Sequence, residues 1–247
     1  MTKKRFSILL CHEEIRNEQT PLVSRLAALL AVLACAPFAH AQQAQSSKKD
    51  KTDPGNLGAH YWQLVGSLPP AVNPFLDETK CQVGQQGPTW FLYSTAPFSE
   101  TIGNPTEANC TIPTGKGIFV ALMTAFCFRD PTQTLEDIQQ ECAQGLDAPN
   151  VLRLEIDGKD RSKLIERRSS DRTFTMGLPE DNFFGLPGGF FTAIHDGYYA
   201  LLPTLKPGDH TVVVQAAITL DDGTPIAFDT VHLLHIVEPA ATIEFVP

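Results

Sequence analysis

The side chains best suited to chemistry lie between residues 181 and 196. Asp181 and Asp196 could form the acid and base of a polysaccharide hydrolase, which needs two carboxylates at a fixed separation. His195 could act as a general base or as a ligand. Asp196-Gly197 also fits a turn that leads into a strand at Tyr198-Tyr199, and we favour that structural interpretation. The residue types alone do not fix the separation of the two carboxyl groups.

Two sets of residues resemble metal sites but lack the spacing that a site needs. His232 and His235 are three apart in a strand-like run, so they point to opposite faces and cannot share a metal. We expect one half-buried histidine and one surface histidine. Asp221, Asp222 and Asp229 offer oxygen ligands for calcium, but they lack EF-hand spacing and a turn explains the first two. We therefore predict no metal site.

Common catalytic motifs are missing from the sequence. There is no G-x-S-x-G nucleophile elbow, no H-E-x-x-H pair and no phosphate-binding P-loop. We predict no catalytic residue and no cofactor, and we lean towards a protein that is not an enzyme.

A loop rich in aromatic residues, 183–191, is the most unusual stretch. It carries Phe183, Phe184, Phe190 and Phe191 among glycines and a proline. These rings could form a stacking platform for sugar rings or a partner peptide. They could instead plug one end of the fold, and we favour this interpretation because large apolar side chains are usually buried. If the protein recognises a ligand, we expect this loop to carry the recognition, since binding residues concentrate on loops.

The candidate ligand-binding set combines this loop with its polar neighbours. Its members are Asp181, Asn182, Phe183, Phe184, Phe190, Phe191, His195 and Asp196.

Four cysteines remain after the N-terminal segment that we expect to be removed. An even number of cysteines in an exported chain indicates disulfides. Of the three possible pairings we favour Cys81–Cys110 with Cys127–Cys142, because each closes a short loop that has its own turn residues. The spacing contains no C-x2-C knuckle, which disfavours a zinc site. Each bridge would add about 3 kcal/mol of stability in the chain-entropy model.

Most of the chain has the pattern of short strands joined by turns. Continuous apolar runs predict strands at 89–95 and 117–128, and a stretch around 60–65 suggests a short helix. Thr134 is a good N-cap, with Asp137 in the capping-box position and Gly145 at the end, so a second helix is predicted there.

Hairpins dominate the second half. Residues 151–156 alternate and meet Asp157-Gly158, and strands at 210–220 and 226–237 flank a second turn. The sequence therefore predicts a mainly β fold, an immunoglobulin-like or jelly-roll β-sandwich with one or two short helices.

The N-terminal region has the features of an export signal. Basic residues precede an apolar run at 26–36, and Ala39-His40-Ala41 fits a cleavage site. We predict a signal peptide at 1–41, a disordered arm at 42–56 and one domain at 57–247. The mature protein would be periplasmic or extracellular. Lipidation at Cys35 is the alternative, because Val32-Leu33-Ala34-Cys35 loosely resembles a lipobox. Leu33, two residues before the cysteine, is atypical for that motif.

Charge and hydropathy limit the partners. Without residues 1–41 the chain keeps 14 lysines and arginines against 25 aspartates and glutamates, a formal charge of −11. Such a chain repels phosphate backbones, so nucleic acid is not an expected partner. No later segment approaches the roughly 18 apolar residues of a transmembrane helix, so we expect no membrane span in the mature chain.

Several short motifs follow one another in a fixed order along the chain. They are Asn73-Pro74 with Asp77, Cys81, Gly84-Gln85, Gly87-Pro88 with Trp90, Cys110 with Pro113 and Gly115-Lys116, the Thr134 helix with Cys142, Asp157-Gly158, Asp181-Asn182, Asp196-Gly197-Tyr198-Tyr199 and Pro207-Gly208-Asp209-His210-Thr211. This order resembles a family of exported bacterial β-rich proteins to which no reaction is assigned. The resemblance covers most of residues 61–235 and implies export and a β-rich fold, without implying an activity.

Three functions are compatible with these features. The first is a non-catalytic exported sandwich that binds a glycan or protein of the envelope or extracellular space. The second is an envelope polysaccharide hydrolase, for which a polar cleft with converging acids would be the signature. The third is an assembly protein that pairs through unprotected strand edges.

The cleavage site can be tested directly. We expect exported protein to have an intact mass that corresponds to an N-terminus at or near Gln42, because Ala39-His40-Ala41 precedes it. A species that begins at a lipid-modified Cys35 would contradict this prediction.

Overall fold

A computed structural model describes residues 54–94, 101–220 and 222–238. The signal peptide predicted at 1–41, the lipidation alternative at Cys35 and most of the arm predicted at 42–56 lie outside the described residues. The arm's predicted end is wrong, because the first helix already begins at Pro54.

The described chain forms ten strands in two five-stranded sheets, with two α-helices, which confirms the predicted mainly β sandwich. The helices are α1 (Pro54–Ser67) and α2 (Leu135–Gln144). The strands are β1 (Thr89–Leu92), β2 (Thr106–Pro113), β3 (Gly117–Phe128), β4 (Val151–Ile156), β5 (Lys159–Asp160), β6 (Ile165–Ser169), β7 (Phe174–Leu178), β8 (Gly189–Leu202), β9 (Gly208–Thr219) and β10 (Pro225–Val237).

The first sheet has the order β1-β3-β8-β6, and β7 pairs with the other end of β8. The second sheet has the order β2-β10-β9-β4-β5. Two pairs are parallel, β1 with β3 and β2 with β10. The chain leaves the first sheet after β1, forms β2 in the second and returns as β3, which supplies the crossover that a parallel pair requires.

Two apolar cores lie on opposite faces of the first sheet. The inter-sheet core lies between the two sheets, and the outer core lies between the first sheet and α1. Residues from both sheets fill the inter-sheet core, among them Leu92, Val120, Leu122, Ile194, Leu154, Val214 and Leu234. The outer core contains Tyr61, Trp62 and Val65 from α1 and Phe91, Phe119, Phe126 and Tyr199 from the sheet.

Burial on both faces explains the twelve-residue apolar run of β3. Val120 faces the inter-sheet core and Phe119 faces the outer core. A bulge between Ala121 and Met123 shifts the register against β8. The alternation resumes beyond it, with Met123 in the inter-sheet core and Phe126 in the outer core.

Helix α1 is longer than the predicted 60–65 segment and lies close to the first sheet. A Cβ atom on Gly58 would lie 2.5 Å from the His195 ring, and one on Gly66 would lie 2.5 Å from Met176. Glycine at both positions therefore allows the helix backbone to contact the sheet directly. Among the described residues, no helix combines the length and apolar character needed to cross a bilayer.

Several local predictions are confirmed. Cys81–Cys110 and Cys127–Cys142 form disulfides, with Cα–Cα distances of 6.0 and 5.7 Å. Thr134 and Asp137 form a complete capping box at the start of α2. Strands β4 and β5 meet at the Asp157-Gly158 turn, where both residues have positive φ. The first bridge ties the 3-10 turn Glu78–Lys80 region to β2, and the second ties α2 to β3.

His232 is an unusual member of β10. Its side chain is almost completely buried, and neither ring nitrogen has a hydrogen-bond partner among the described residues. His235 is exposed and bonds to Asp209. The two histidines therefore lie on opposite faces, as predicted, although His232 is fully rather than half buried. Burial lowers the pKa of His232 to about 4.

We expect His232 to make the fold sensitive to acid. An unfolded histidine has a pKa of about 6.5, so the unfolded state binds a proton below this pH while the folded state resists protonation down to about pH 4. Its contribution is complete above pH 6.5 and falls by about 3 kcal/mol as the pH drops to 4. Urea unfolding should show that the free energy of unfolding falls less between pH 7 and pH 4.5 for His232→Leu than for wild type.

His235→Leu is the matched control for the removal of a histidine from β10, because that ring is exposed rather than buried. Equal pH dependence of unfolding in wild type and His232→Leu would contradict the prediction.

Candidate functional site

The structure separates the eight candidate residues into different environments. Asp181 is exposed, whereas Asn182 is buried and organises the loop. The Asn182 Nδ2 donates to the carbonyl oxygens of Pro179 and Leu186 at 2.7 and 2.8 Å. Its Oδ1 accepts from the Leu186 N–H at 3.3 Å. The amide is thus engaged within its own loop rather than presented to a ligand.

Three of the four loop phenylalanines pack against the outer core, as a plug would. The Phe183 ring lies 5.4 Å from Phe75 and the Phe184 ring 4.9 Å from Phe126. The Phe191 ring lies 4.8 Å from Phe128. All three are half-buried. They close the end of the space between α1 and the first sheet.

Phe190 differs from the other three because 86% of it is exposed. It pairs with Gly177 across the β7–β8 ribbon, and a Cβ on Gly177 would lie 3.2 Å from its ring. Thr175 and Thr192 form the next pair on the same face, and both are exposed. The exposed face of the ribbon therefore carries an aromatic ring over a glycine, beside two threonine hydroxyl groups.

His195 lies in a buried network beneath α1. Its Nδ1 is 2.9 Å from the Tyr199 hydroxyl, which contacts Thr124 Oγ1. Trp62 Nε1 donates to the same Thr124 oxygen at 3.1 Å. Thr124 in turn donates to the Asp196 carbonyl oxygen at 3.0 Å.

Only one arrangement of protons satisfies all these contacts. Thr124 has one proton, which goes to the Asp196 carbonyl, so the Tyr199 hydroxyl must donate to Thr124. His195 must then donate to Tyr199 through Nδ1–H. Burial raises the pKa of Tyr199, so its hydroxyl stays neutral. The network holds α1 on the sheet and offers no base to a substrate through Nδ1.

The Asp196 side chain points away from α1 and forms a buried ion pair. Its Oδ1 accepts from Arg167 Nε at 3.0 Å, and its Oδ2 accepts from Ser169 Oγ at 2.6 Å. The same guanidinium donates to the Ala143 carbonyl at 3.0 Å and to Asp147 at 2.6 Å. Arg167 thus joins the first sheet to the end of α2.

The predicted turn at Asp196-Gly197 is wrong. Both residues lie in the middle of β8, which runs unbroken from Gly189 to Leu202. Gly197 is required there by a close approach, because a Cβ would lie 2.6 Å from the Thr124 side chain and 2.9 Å from the Met123 carbonyl oxygen. The glycine accommodates the β3 bulge rather than a chain reversal.

No group of three or more metal-ligating side chains assembles within the described residues. Asp222 accepts from the Thr224 N–H within its turn at 2.9 Å. Asp229 is buried on β10, where it accepts from the Gly103 N–H at 2.7 Å and from Gln215 at 3.0 Å. Asp221 lies outside the described residues.

A small cavity of about 30 Å³ lies at the end of the outer core. It has room for about one or two water molecules. Its lining has three side chains with a hydroxyl group, Tyr61, Ser94 and Thr124, and no carboxylate, so it does not resemble a hydrolase cleft. The lining consists of Tyr61, Trp62, Phe75, Ser94, Ala121, Leu122, Thr124, Phe184 and Phe228.

Glutamine side chains occupy three of the sheet edges. Gln63 donates to the Thr175 carbonyl of β7 at 2.9 Å, and Gln82 donates to the Thr111 carbonyl of β2 at 2.7 Å. Gln85 bonds to both the N–H and the C=O of Phe91 in β1. The remaining edge of the second sheet, β5, has only two residues, both charged. Such edges resist pairing with another chain.

Arg167, Thr124, Trp62 and Gly58 were not identified from the sequence. Their hydrogen bonds and close approaches join residues 20 or more positions apart, and no short motif marks them. Comparison with models of protein families, with curated proteins and with solved structures finds no match in any of the three.

The two candidate carboxylates should differ in their effect on folding. Asp196→Asn leaves the Arg167 guanidinium partly buried without its partner, so we expect a loss of about 2 kcal/mol of unfolding free energy, reduced by the partial exposure of Arg167. The matched variant Asp181→Asn alters an exposed side chain and should stay within about 0.5 kcal/mol of wild type. Urea denaturation measures both. Equal stability of the two variants would show that the ion pair does not support the fold.

Proposed function

We propose that this protein is an exported, non-catalytic β-sandwich that binds a glycan of the cell envelope or extracellular space through the exposed face of the β7–β8 ribbon. Export is supported by two disulfides, since these persist in oxidising compartments. The exposure of Phe190 is the observation that carries the proposal. A large apolar side chain that is 86% exposed gains nothing from burial within its own chain.

A glycan fits this face better than a protein does. The ring lies over Gly177, which has no side chain that could obstruct the approach of a flat sugar ring. Thr175 and Thr192 form the pair next to Gly177 and Phe190 on the same face, so their hydroxyl groups lie close enough to form hydrogen bonds with a sugar that stacks on the ring. A protein partner usually buries about 800 Å² on each side, and a single exposed phenylalanine supplies little of that area.

The two other functions have less support. Asp181 is exposed and Asp196 is buried in an ion pair, so these carboxylates share no common cleft. The glutamine-covered edges disfavour assembly through strand pairing.

Phe190→Ala tests the proposal. Pull-down of the wild-type protein on cellulose, chitin, peptidoglycan and envelope polysaccharide first identifies a polysaccharide that it binds. We expect Phe190→Ala to bind that polysaccharide about tenfold or more weakly, because the stacking contact is lost. The unfolding free energy should change by less than about 0.5 kcal/mol, because the ring is exposed. Phe190→Trp should retain binding.

Phe184→Ala provides the matched control. This ring packs on Phe126, so its loss should lower stability by about 2 kcal/mol while leaving the Phe190 face intact. Unchanged binding in Phe190→Ala would refute the assigned face. Release of new reducing ends from any of the polysaccharides would favour the hydrolase instead.

A further inference from the structure

The positive charge of this protein is concentrated in one short stretch. Among the described residues, seven of eleven lysines and arginines lie between residues 153 and 172, and the same stretch contains five aspartates and glutamates. The remaining described residues carry four basic side chains against fifteen acidic ones. The segment that forms β4, β5 and β6 therefore carries a net positive charge, whereas the rest of the described chain is strongly negative.

Four of these seven cations are already paired. Arg153 contacts Glu155 and Arg168 contacts Glu166, while Arg167 bonds to Asp147 and Asp196. Arg172 lies beside Asp171 and donates to Asn56. These side chains are occupied within the fold.

The other three, Lys159, Arg161 and Lys163, are all exposed. None of them forms a side-chain hydrogen bond or ion pair in the part of the chain that the structure describes. They occupy every second position of a five-residue stretch in β5 and the 3-10 turn Ser162–Leu164. We call these three residues the basic ledge.

The backbone of the basic ledge is fixed against β4. The Arg161 N–H donates to the Leu154 carbonyl at 2.8 Å, and Ser162 Oγ accepts from the Leu154 N–H at 3.1 Å. Asp160 accepts from the Ser162 N–H at 2.8 Å. The ledge thus presents its cations from an ordered backbone, which lowers the entropy lost on binding.

The turn before the ledge is held as firmly. Asp157 accepts from Thr211 N–H at 3.0 Å and contacts His210 Nδ1 at 2.8 Å. The hydrogen bond from His210 is the main reason that the pKa of Asp157 lies below its usual range. Asp157 also has a weaker electrostatic interaction with Lys159, and Asp160 has one with Lys163, but neither carboxylate forms an ion pair with the ledge.

We propose that Lys159, Arg161 and Lys163 bind an anionic polysaccharide, a polymer of carboxylated or sulfated sugars. Charge complementarity is the argument, because three clustered unpaired cations on an acidic protein attract a polyanion, and Lys206, a further described cation without a side-chain partner, lies far from them in the sequence. A membrane surface fits less well, since the large apolar side chains that are exposed among the described residues are Val72 and Phe190, and neither belongs to the ledge. Nucleic acid is disfavoured by the strongly negative remainder of the chain.

This surface is separate from the face around Phe190. The residues that follow the ledge begin β6 opposite Ala200, whereas Phe190 lies near the other end of β8. The two proposals can therefore fail independently.

The test compares two triple variants of the full mature protein with equal loss of charge. Lys159→Gln/Arg161→Gln/Lys163→Gln removes the ledge, and Lys80→Gln/Lys116→Gln/Arg129→Gln removes three cations that lie outside residues 153–172 and contact other groups in the fold. Heparin and alginate are the probes, with neutral dextran as reference. At about 0.1 M salt we expect the ledge variant to bind the anionic probes about tenfold more weakly than wild type, and the second variant to bind nearly as wild type does.

Several results would overturn the proposal. These are the absence of binding to both anionic probes by wild type, equal weakening in the two triple variants, and tighter binding of wild type to RNA or to anionic phosphatidylglycerol vesicles than to the polysaccharides. Phe190→Ala should leave heparin and alginate binding unchanged. Parallel loss in Phe190→Ala and the ledge variant would show a single site in place of two.

Discussion

Burial of the first sheet on both faces is the constraint on which the rest of the structure depends. The second sheet covers one face and α1 covers the other. Every polar group on its central strands must therefore find a partner inside the protein. His195 meets Tyr199 under the helix, and Asp196 meets Arg167 on the opposite side. The residue types that suggest a catalytic site are thus used to attach α1 and α2 to the sheet.

The same constraint explains why the outer margins of the fold need special protection. A sheet that is covered over most of both faces exposes its backbone groups mainly at its edges, where they could recruit another chain. Glutamines from α1 and from the segment before β1 bond to those groups at β7, β2 and β1. The Cys81–Cys110 bridge anchors the segment that carries Gln82 and Gln85, so the covalent link and the edge contacts support each other.

Features set by near neighbours in the sequence could be predicted. The capping box of Thr134 and the Asp157-Gly158 hairpin depend on local geometry, and both disulfides close short loops. Asp196-Gly197 was misassigned because the reason for that glycine is the β3 bulge, more than 70 residues away in the chain. Likewise the sequence groups four phenylalanines in one loop, but the side-chain alternation of β8, fixed by its pairing with β7, places Phe191 against the outer core and Phe190 on the exposed face. Tertiary contacts of this kind leave no local pattern.

The location of recognition follows from what the fold has left unused. Most buried polar groups are satisfied internally, with His232 as an exception, and most of the described lysines and arginines have partners, so recognition is expected where an exposed side chain lacks one. Among the described residues, an uncovered aromatic ring and three clustered unpaired cations are two such places. Both are connected to β8, one at its start and one through the strand β6 that pairs with its far half. Most of β8 is covered on both faces and its exposed residues lie at the Phe190 end, so the core fixes the distance between the two places. Under the two proposals a sugar ring stacks on Phe190 while an anionic polymer pairs with the three cations, and each ligand binds independently because the two sites share no residue.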